Sequence, residues 1–125
     1  MIKPVPPVIK VDELSLHVGD FRLAPLSFTI RPGECLGVVG ESGSGKSLLA
    51  KALAGILPNQ VTMHGSYVFY KDSERYLIES KNSPYFTKLR GSSVGYVFQE
   101  PMTALNPAMR CGTQVDEALR RHTSL

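Results

Sequence analysis

An α/β fold is predicted for this chain of 125 residues, with an antiparallel β-layer placed ahead of a strand, a glycine-rich loop and a helix. Three observations predict it. Two strand-like runs, Ile9–Val18 and Phe21–Ile30, are separated only by Gly19-Asp20, a hairpin-turn dipeptide. An apolar run, Cys35-Leu36-Gly37-Val38-Val39, leads directly into Gly40-Glu41-Ser42-Gly43-Ser44-Gly45-Lys46-Ser47. After that loop, Leu48, Leu49, Ala52, Leu53 and Ile56 recur at helical spacing, and Gly55, Pro58 and Asn59 supply the stop.

Taken in order, residues 1–8 carry prolines at positions 4, 6 and 7 and form an N-terminal extension to the folded part, residues 9–125. Pro25 in the second run cannot donate to a ladder, so that strand is expected at a sheet edge or broken there. Arg31-Pro32-Gly33-Glu34 reads as a turn. Residues 35–39 read as a buried strand, apolar throughout as a central parallel strand covered on both faces would be, with Cys35 packed in the core. Residues 65–70 predict a further strand, residues 71–85 a hairpin and variable loop, and residues 94–98, Val94-Gly95-Tyr96-Val97-Phe98, another short strand. The stretch 113–121 places Val115, Ala118 and Leu119 on one helical face and ends in Arg120-Arg121, which suits the negative end of a helix dipole.

Residues 40–47 fit G-x-x-x-x-G-K-[ST], the Walker A phosphate-binding pattern, between a predicted strand and a predicted helix. Glycines let the backbone turn with no side chain in the way, so that successive N–H groups can converge on phosphate oxygens, and the helix adds its positive end. Lys46 would reach the β- and γ-phosphates as a point charge, and the Ser47 hydroxyl would supply part of a Mg²⁺ shell. ATP or GTP with magnesium is therefore the expected ligand.

Composition narrows the remaining possibilities. A formal charge of +3, with Lys and Arg interleaved among acids, does not form a nucleic-acid-binding stripe. No apolar run reaches the length of a membrane span, and the first residues lack a signal-peptide core, so a cytoplasmic location is expected. Cys35 and Cys111 have no C-x-x-C pairing and suggest neither a metal site nor a disulfide. His64 and His122 have no ligand set beside them and are expected at the surface.

A family becomes visible at Gln99. Gln99 at the end of a strand-like run, the phosphate loop and the Pro32-Gly33-Glu34 turn together resemble ATP-binding-cassette (ABC) ATPases, a P-loop NTPase fold with an N-terminal antiparallel β-layer. The resemblance is closest to ATPase subunits of oligopeptide, dipeptide and nickel importers, through Gly-Glu-Ser-Gly-Ser-Gly-Lys-Ser, Arg90-Gly91, and Phe98-Gln99-Glu100-Pro101-Met102 followed by Leu105-Asn106-Pro107. It implies that Gln99 ligates Mg²⁺ or orients the attacking water, with Glu100 and Pro101 shaping the loop. It also implies an adenine-stacking residue in the β-layer, and spacing from the phosphate loop brings that position close to His17, with Phe21 just beyond the turn. Transmembrane permease subunits and a second ATPase subunit or domain are the implied partners, which would hold the protein at the cytoplasmic face of the membrane.

The family's Leu-Ser-Gly-Gly-Gln signature, its apolar strand ending in Asp-Glu and its switch histidine do not occur within these residues; Asp116-Glu117 lies in a polar helical pattern instead. The chain therefore reads as the N-terminal half of a nucleotide-binding domain, able to bind nucleotide and expected to hydrolyse little alone. Unpaired strand edges and exposed apolar surface are expected with it. A nucleotide-binding or interaction module without catalysis is the alternative of a different class. A small nucleotide kinase would need a lid and acceptor-binding arginines, and the Gln99 segment argues against it.

Overall fold

The computed structural model describes residues 4–99 and 105–123. Its centre is a four-stranded antiparallel sheet in the order β2-β1-β3-β4, built from β1 (Ile9–Val18), β2 (Phe21–Ile30), β3 (Thr62–Lys71) and β4 (Glu74–Ile78). Val18 pairs with Phe21 across the Gly19-Asp20 turn, and β2, which carries Pro25, lies at the edge where a missing N–H breaks no ladder. Asp72 and Ser73, both with positive φ, close the β3–β4 hairpin. Glu34 N–H bonds to the Arg31 carbonyl and its carboxylate accepts from Arg31 N–H, which closes the predicted turn after β2 from both sides.

The helix α1 (Lys46–Ala54) packs Leu49 and Ala52 onto one face of the sheet. It ends at Gly55, whose N–H bonds to Ala52 O while Ile56 N–H reaches Lys51 O, a Schellman pair that satisfies two terminal carbonyls. Arg90 donates to Gly55 O and lies over the Phe86 ring, which ties that end to the short α2 (Phe86–Leu89). Lys81 donates to the carbonyls of Asn59 and Val61 and so fastens the connection from α1 to β3.

The core is Ile9, Val11, Leu14 and Leu16 of β1 and Tyr67 and Phe69 of β3, closed by Leu49, Ala52, Val61, Ile78, Phe86 and Leu89. Strict alternation cannot put both Val11 and Leu14 inside. An irregularity at Glu13, with φ 49, inserts the extra residue that brings the second half of β1 into phase. Tyr67 is fully buried, donates to Ala52 O at 2.6 Å and meets Phe69 edge-on.

Burial pushes the Tyr67 phenol well above the ordinary tyrosine range. Because the folded value is the higher one, this contribution to stability is complete below about pH 10 and is lost as pH rises beyond it. Tyr67→Phe is expected to lower stability by about 1–2 kcal/mol and to flatten the alkaline limb of the stability profile. Urea unfolding at neutral and alkaline pH checks both, and an unchanged alkaline limb would place its cause elsewhere.

Two expected strands require correction. Residues 35–39 are not a strand: Leu36, Val38 and Val39 are exposed, Val39 at 94%, and Cys35 is exposed rather than packed in the core. Residues 94–98 likewise form no strand; Val94 makes a single parallel bridge to Arg90, and Val97 is 95% exposed. A parallel strand exists only by hydrogen-bonding to neighbours, and among the described residues no strand pairs with either segment. The expected α/β class is met only in part, as one antiparallel sheet with helices, and among the described residues the parallel core layer of the expected fold is not assembled. The last helix, α3 (Cys111–His122), forms as expected but buries none of its residues, and Val115 and Leu119 face outward.

Candidate functional site

The loop at residues 40–47 and the first turn of α1 form one wall of a cavity of about 440 Å³. Ser42, Gly43, Ser44, Gly45, Lys46, Ser47 and Leu48 line it, facing Val18, Phe21 and Gln99. The volume lies within the range of small-molecule and cofactor sites, about 300–1,000 Å³. Gly43 and Gly45 both take positive φ, at 82° and 103°, and turn the chain into the helix. No side chain caps α1, and its first residues line the cavity, so its N-terminal N–H groups are left without a side-chain partner beside that space, as an anion site requires.

Gly45 is needed for space as well as for φ. A Cβ there would lie 3.0 Å from Phe21 Cζ and 3.2 Å from Leu23 Cδ1, so the aromatic ring rests directly on the loop backbone. At Gly40 a Cβ would come within 2.7 Å of Ser44 Oγ. Ser44 N–H bonds to Glu41 O at 3.1 Å, closing a turn inside the loop. Glu41 and Gly40 shape the loop from behind: Lys46 Nζ donates to both their carbonyls, at 3.0 Å for Glu41. That ammonium is therefore parked on exposed backbone oxygens at the cavity wall, an arrangement that a phosphate oxygen can outbid because a full anionic charge is a stronger partner.

The donor set suits magnesium only in combination with a phosphate. Ser47 and Gln99, which line the same cavity, carry neutral side-chain oxygens, and among the described residues no cluster of acidic, His or Cys side chains could hold a metal unaided. Mg²⁺ takes one or two protein oxygens when phosphates and water complete its octahedron, so Ser47 and Gln99 fit it in that role.

Of the residues expected at the site, the fold brings together Ser42 to Ser47 and Gln99, and sets Gly40 and Glu41 behind them. His17 is not among them. It lines a separate cavity with Ser15, Leu16, Arg22, Pro25 and His64, while Val18 and Phe21, at the paired end of the β1–β2 hairpin, lie against the loop. Counting residues back from the loop lands on His17, but a two-residue turn carries Phe21, the first aromatic of β2, to the wall of the phosphate-loop cavity. Phe21 was discernible as the one aromatic adjoining that turn. Glu100 and Pro101 lie outside the described residues.

Comparison of the sequence with known proteins identifies its family. The sequence model of the ABC transporter family matches residues 23–124. The dipeptide transport ATP-binding protein DppD of Haemophilus influenzae is 37% identical over 92% of this chain and 36% of its own length. The oligopeptide transport ATP-binding protein OppD of Lactococcus lactis subsp. cremoris is 45% identical over 83% of the chain and 30% of its own length. OppD of Escherichia coli is 44% identical over 80% and 28% respectively. The chain thus spans about a third of the length of the relatives it matches. No described helix is long and apolar enough to cross a membrane. With a family match over most of its residues and the phosphate loop folded at the head of α1, the chain belongs to the ABC transporter family of ATP-binding subunits.

Proposed function

We propose that the chain is the nucleotide-binding part of an importer ATPase that couples ATP hydrolysis to uptake of peptides or, less specifically, of nickel or a similar small solute. The observation that carries this reading is the single cavity on which Lys46, Ser47, Gln99 and Phe21 converge at the uncapped start of α1. Residues 9–125 form this part and residues 1–8 precede it as an extension. The peptide cargo rests on the printed names of the relatives, which are dipeptide and oligopeptide transport proteins.

Each residue has a role that its chemistry supports. The N–H groups of the loop and Lys46 bind and orient the β- and γ-phosphates; Ser47 and Gln99 offer oxygens to Mg²⁺, which when bound neutralises phosphate charge. Phe21 supplies a flat apolar face for the base, backed by Val18. Gln99, donor and acceptor at once, can also hold the attacking water in line with the γ-phosphate. Hydrolysis needs a carboxylate to polarise that water, and among the described residues no Asp or Glu lines the cavity, so binding without appreciable turnover is the behaviour proposed for this chain. In the working assembly a second ATPase subunit or domain and the transmembrane permease subunits complete the site and receive the motion, at the cytoplasmic face of the membrane.

Calorimetric titration with Mg-ATP, together with phosphate release from the same sample, tests this. Saturable binding with negligible release is expected. Phe21→Ala should weaken binding roughly five- to tenfold, the worth of one aromatic stack of about 1–1.5 kcal/mol, and His17→Ala should leave it unchanged. Steady turnover by the pure chain would overturn the proposed incompetence, and the reverse order of the two variants would return the base to His17.

A further inference from the structure

The outer face of the sheet carries a second concentration of chemistry that nucleotide binding does not use. Ser15 and His17 alternate with the buried Leu14 and Leu16, so they stand on the side of β1 away from the core. Register sets Arg22 of β2 opposite His17 and His64 of β3 opposite Ser15. Directly paired residues share a face and diagonal neighbours lie roughly 7–8 Å apart, so the guanidinium, the two imidazoles and the hydroxyl surround one spot. That spot is a cavity of about 170 Å³, completed by Pro25 and the Leu16 strand segment.

The character of the lining is one-sided. Among the described residues every polar side chain on it can donate a hydrogen bond, Arg22 brings a permanent positive charge, and no Asp or Glu lines the cavity. Among the described residues none of the four side chains has a hydrogen-bond or ion-pair partner, so the donors are uncommitted. The volume is well below the roughly 300 Å³ at which nucleotide-sized ligands begin, and suits one compact oxyanion. Donors arriving from three adjacent strands match a tetrahedral anion better than a planar carboxylate, whose two oxygens a single arginine fork would satisfy.

We propose that Ser15, His17, Arg22 and His64 form a binding site for a single phosphate group on the outer face of the sheet, separate from the phosphate loop. Arg22 is its charged anchor, and the imidazoles and the hydroxyl fix the remaining oxygens. The two cavities share no residue, so this site stands or falls independently of the nucleotide reading. A free phosphate and a phosphate-bearing lipid headgroup present the same chemistry, and experiment separates them.

The chain has three histidines, and His122, on α3 and outside this cavity, is an internal control. Inorganic phosphate is titrated into the ¹³C-histidine-labelled full chain at fixed pH and constant ionic strength, with the imidazole resonances followed by NMR. Saturable shifts at His17 and His64 without one at His122 are expected. Arg22→Gln should weaken the response roughly tenfold or more, as loss of a charge-assisted anchor requires, and Lys46→Ala should retain it. His64→Gln, at an exposed position, is the second variant and should weaken the His17 response in the same sense. Co-sedimentation with phosphatidylcholine vesicles containing phosphatidic acid forms the second arm; Arg22-dependent sedimentation assigns the site to headgroups, and NMR saturation without it assigns the site to free phosphate. Equal drift of all three histidines, no saturation in either arm, or a response lost in Lys46→Ala and kept in Arg22→Gln would overturn the proposal.

Discussion

Lys46→Ala is expected to weaken Mg-ATP binding about a hundredfold while changing the stability of the chain little. Among the described residues the ammonium is the only charged group lining the main cavity, and a charge-assisted hydrogen bond contributes about 1.5–3 kcal/mol. Two such contacts, to the β- and γ-phosphates, less the exchange of its present partners, leave about 3 kcal/mol, or about two orders of magnitude in affinity. Those present partners are the exposed carbonyls of Gly40 and Glu41, which water can satisfy once the side chain is gone. Calorimetry and a thermal melt on the same sample separate the two effects. A loss of affinity accompanied by an equal loss of stability would mean that Lys46 staples the loop rather than binds phosphate, and an affinity within about threefold of the original would remove phosphate contact from its role altogether.

How much of this was legible in the sequence depends on whether an element is determined by its own residues. The hairpin of β1 and β2 was legible because Gly19-Asp20 fixes the turn and the turn fixes the register Val18↔Phe21. The helix α1 was legible because its apolar spacing and Gly55 act within a few residues of each other. Residues 35–39 and 94–98 read just as clearly as strands, yet a buried strand is defined by the neighbours that accept its hydrogen bonds, and a run of valines cannot show whether they are present. Their apolar side chains are instead left facing outward, Val39 and Val97 almost completely.

The site divides along the same line. The phosphate loop is a local device, eight consecutive residues whose glycines and lysine act on their own backbone, and its place at the head of α1 followed from order along the chain. Phe21, the residue proposed to face the base, belongs to another element, and reaching it required the geometry of a turn rather than a count. His17 sits on β1 one residue before Val18, and one residue along a strand is the difference between opposite faces. That parity sends His17 to the outer cavity with Arg22 and His64 and leaves Val18 and Phe21 on the phosphate-loop cavity, with the Phe21 ring against Gly45. Gln99, by contrast, was identified by its neighbours in sequence, and the fold brings it to the same cavity as Lys46 and Ser47.

Gly65→Ala is expected to be the most destabilising small substitution in the sheet, at roughly 3–5 kcal/mol, a large share of the stability of any domain of this size. The apolar residues of β1 change phase between Val11 and Leu14, and the chain absorbs the shift by bulging at Glu13. The bulge pushes the Glu13 carbonyl across toward β3, where Gly65 lies beneath it with φ 87; a Cβ on Gly65 would sit 2.1 Å from Glu13 O and 2.6 Å from Glu13 C. Both atoms are backbone, so no side chain can swing aside, and relief requires either β3 to separate from β1 or the bulge to be lost. Losing the bulge would turn Leu14 and Leu16 out of the core together. Gly19→Ala is the matched control: its φ is 56, nothing lies within 4 Å of the added carbon, and only the strain of about 1–2 kcal/mol for a left-handed residue applies. Urea unfolding of the two variants side by side isolates the steric part as their difference, and equal midpoints would show that the bulge is soft. The consequence reaches the nucleotide cavity, because the same bulge sets the parity that delivers Val18 and the following turn to Gly45. A Gly65→Ala chain that remains folded with the bulge removed should therefore lose nucleotide affinity without any change at residues 40–47.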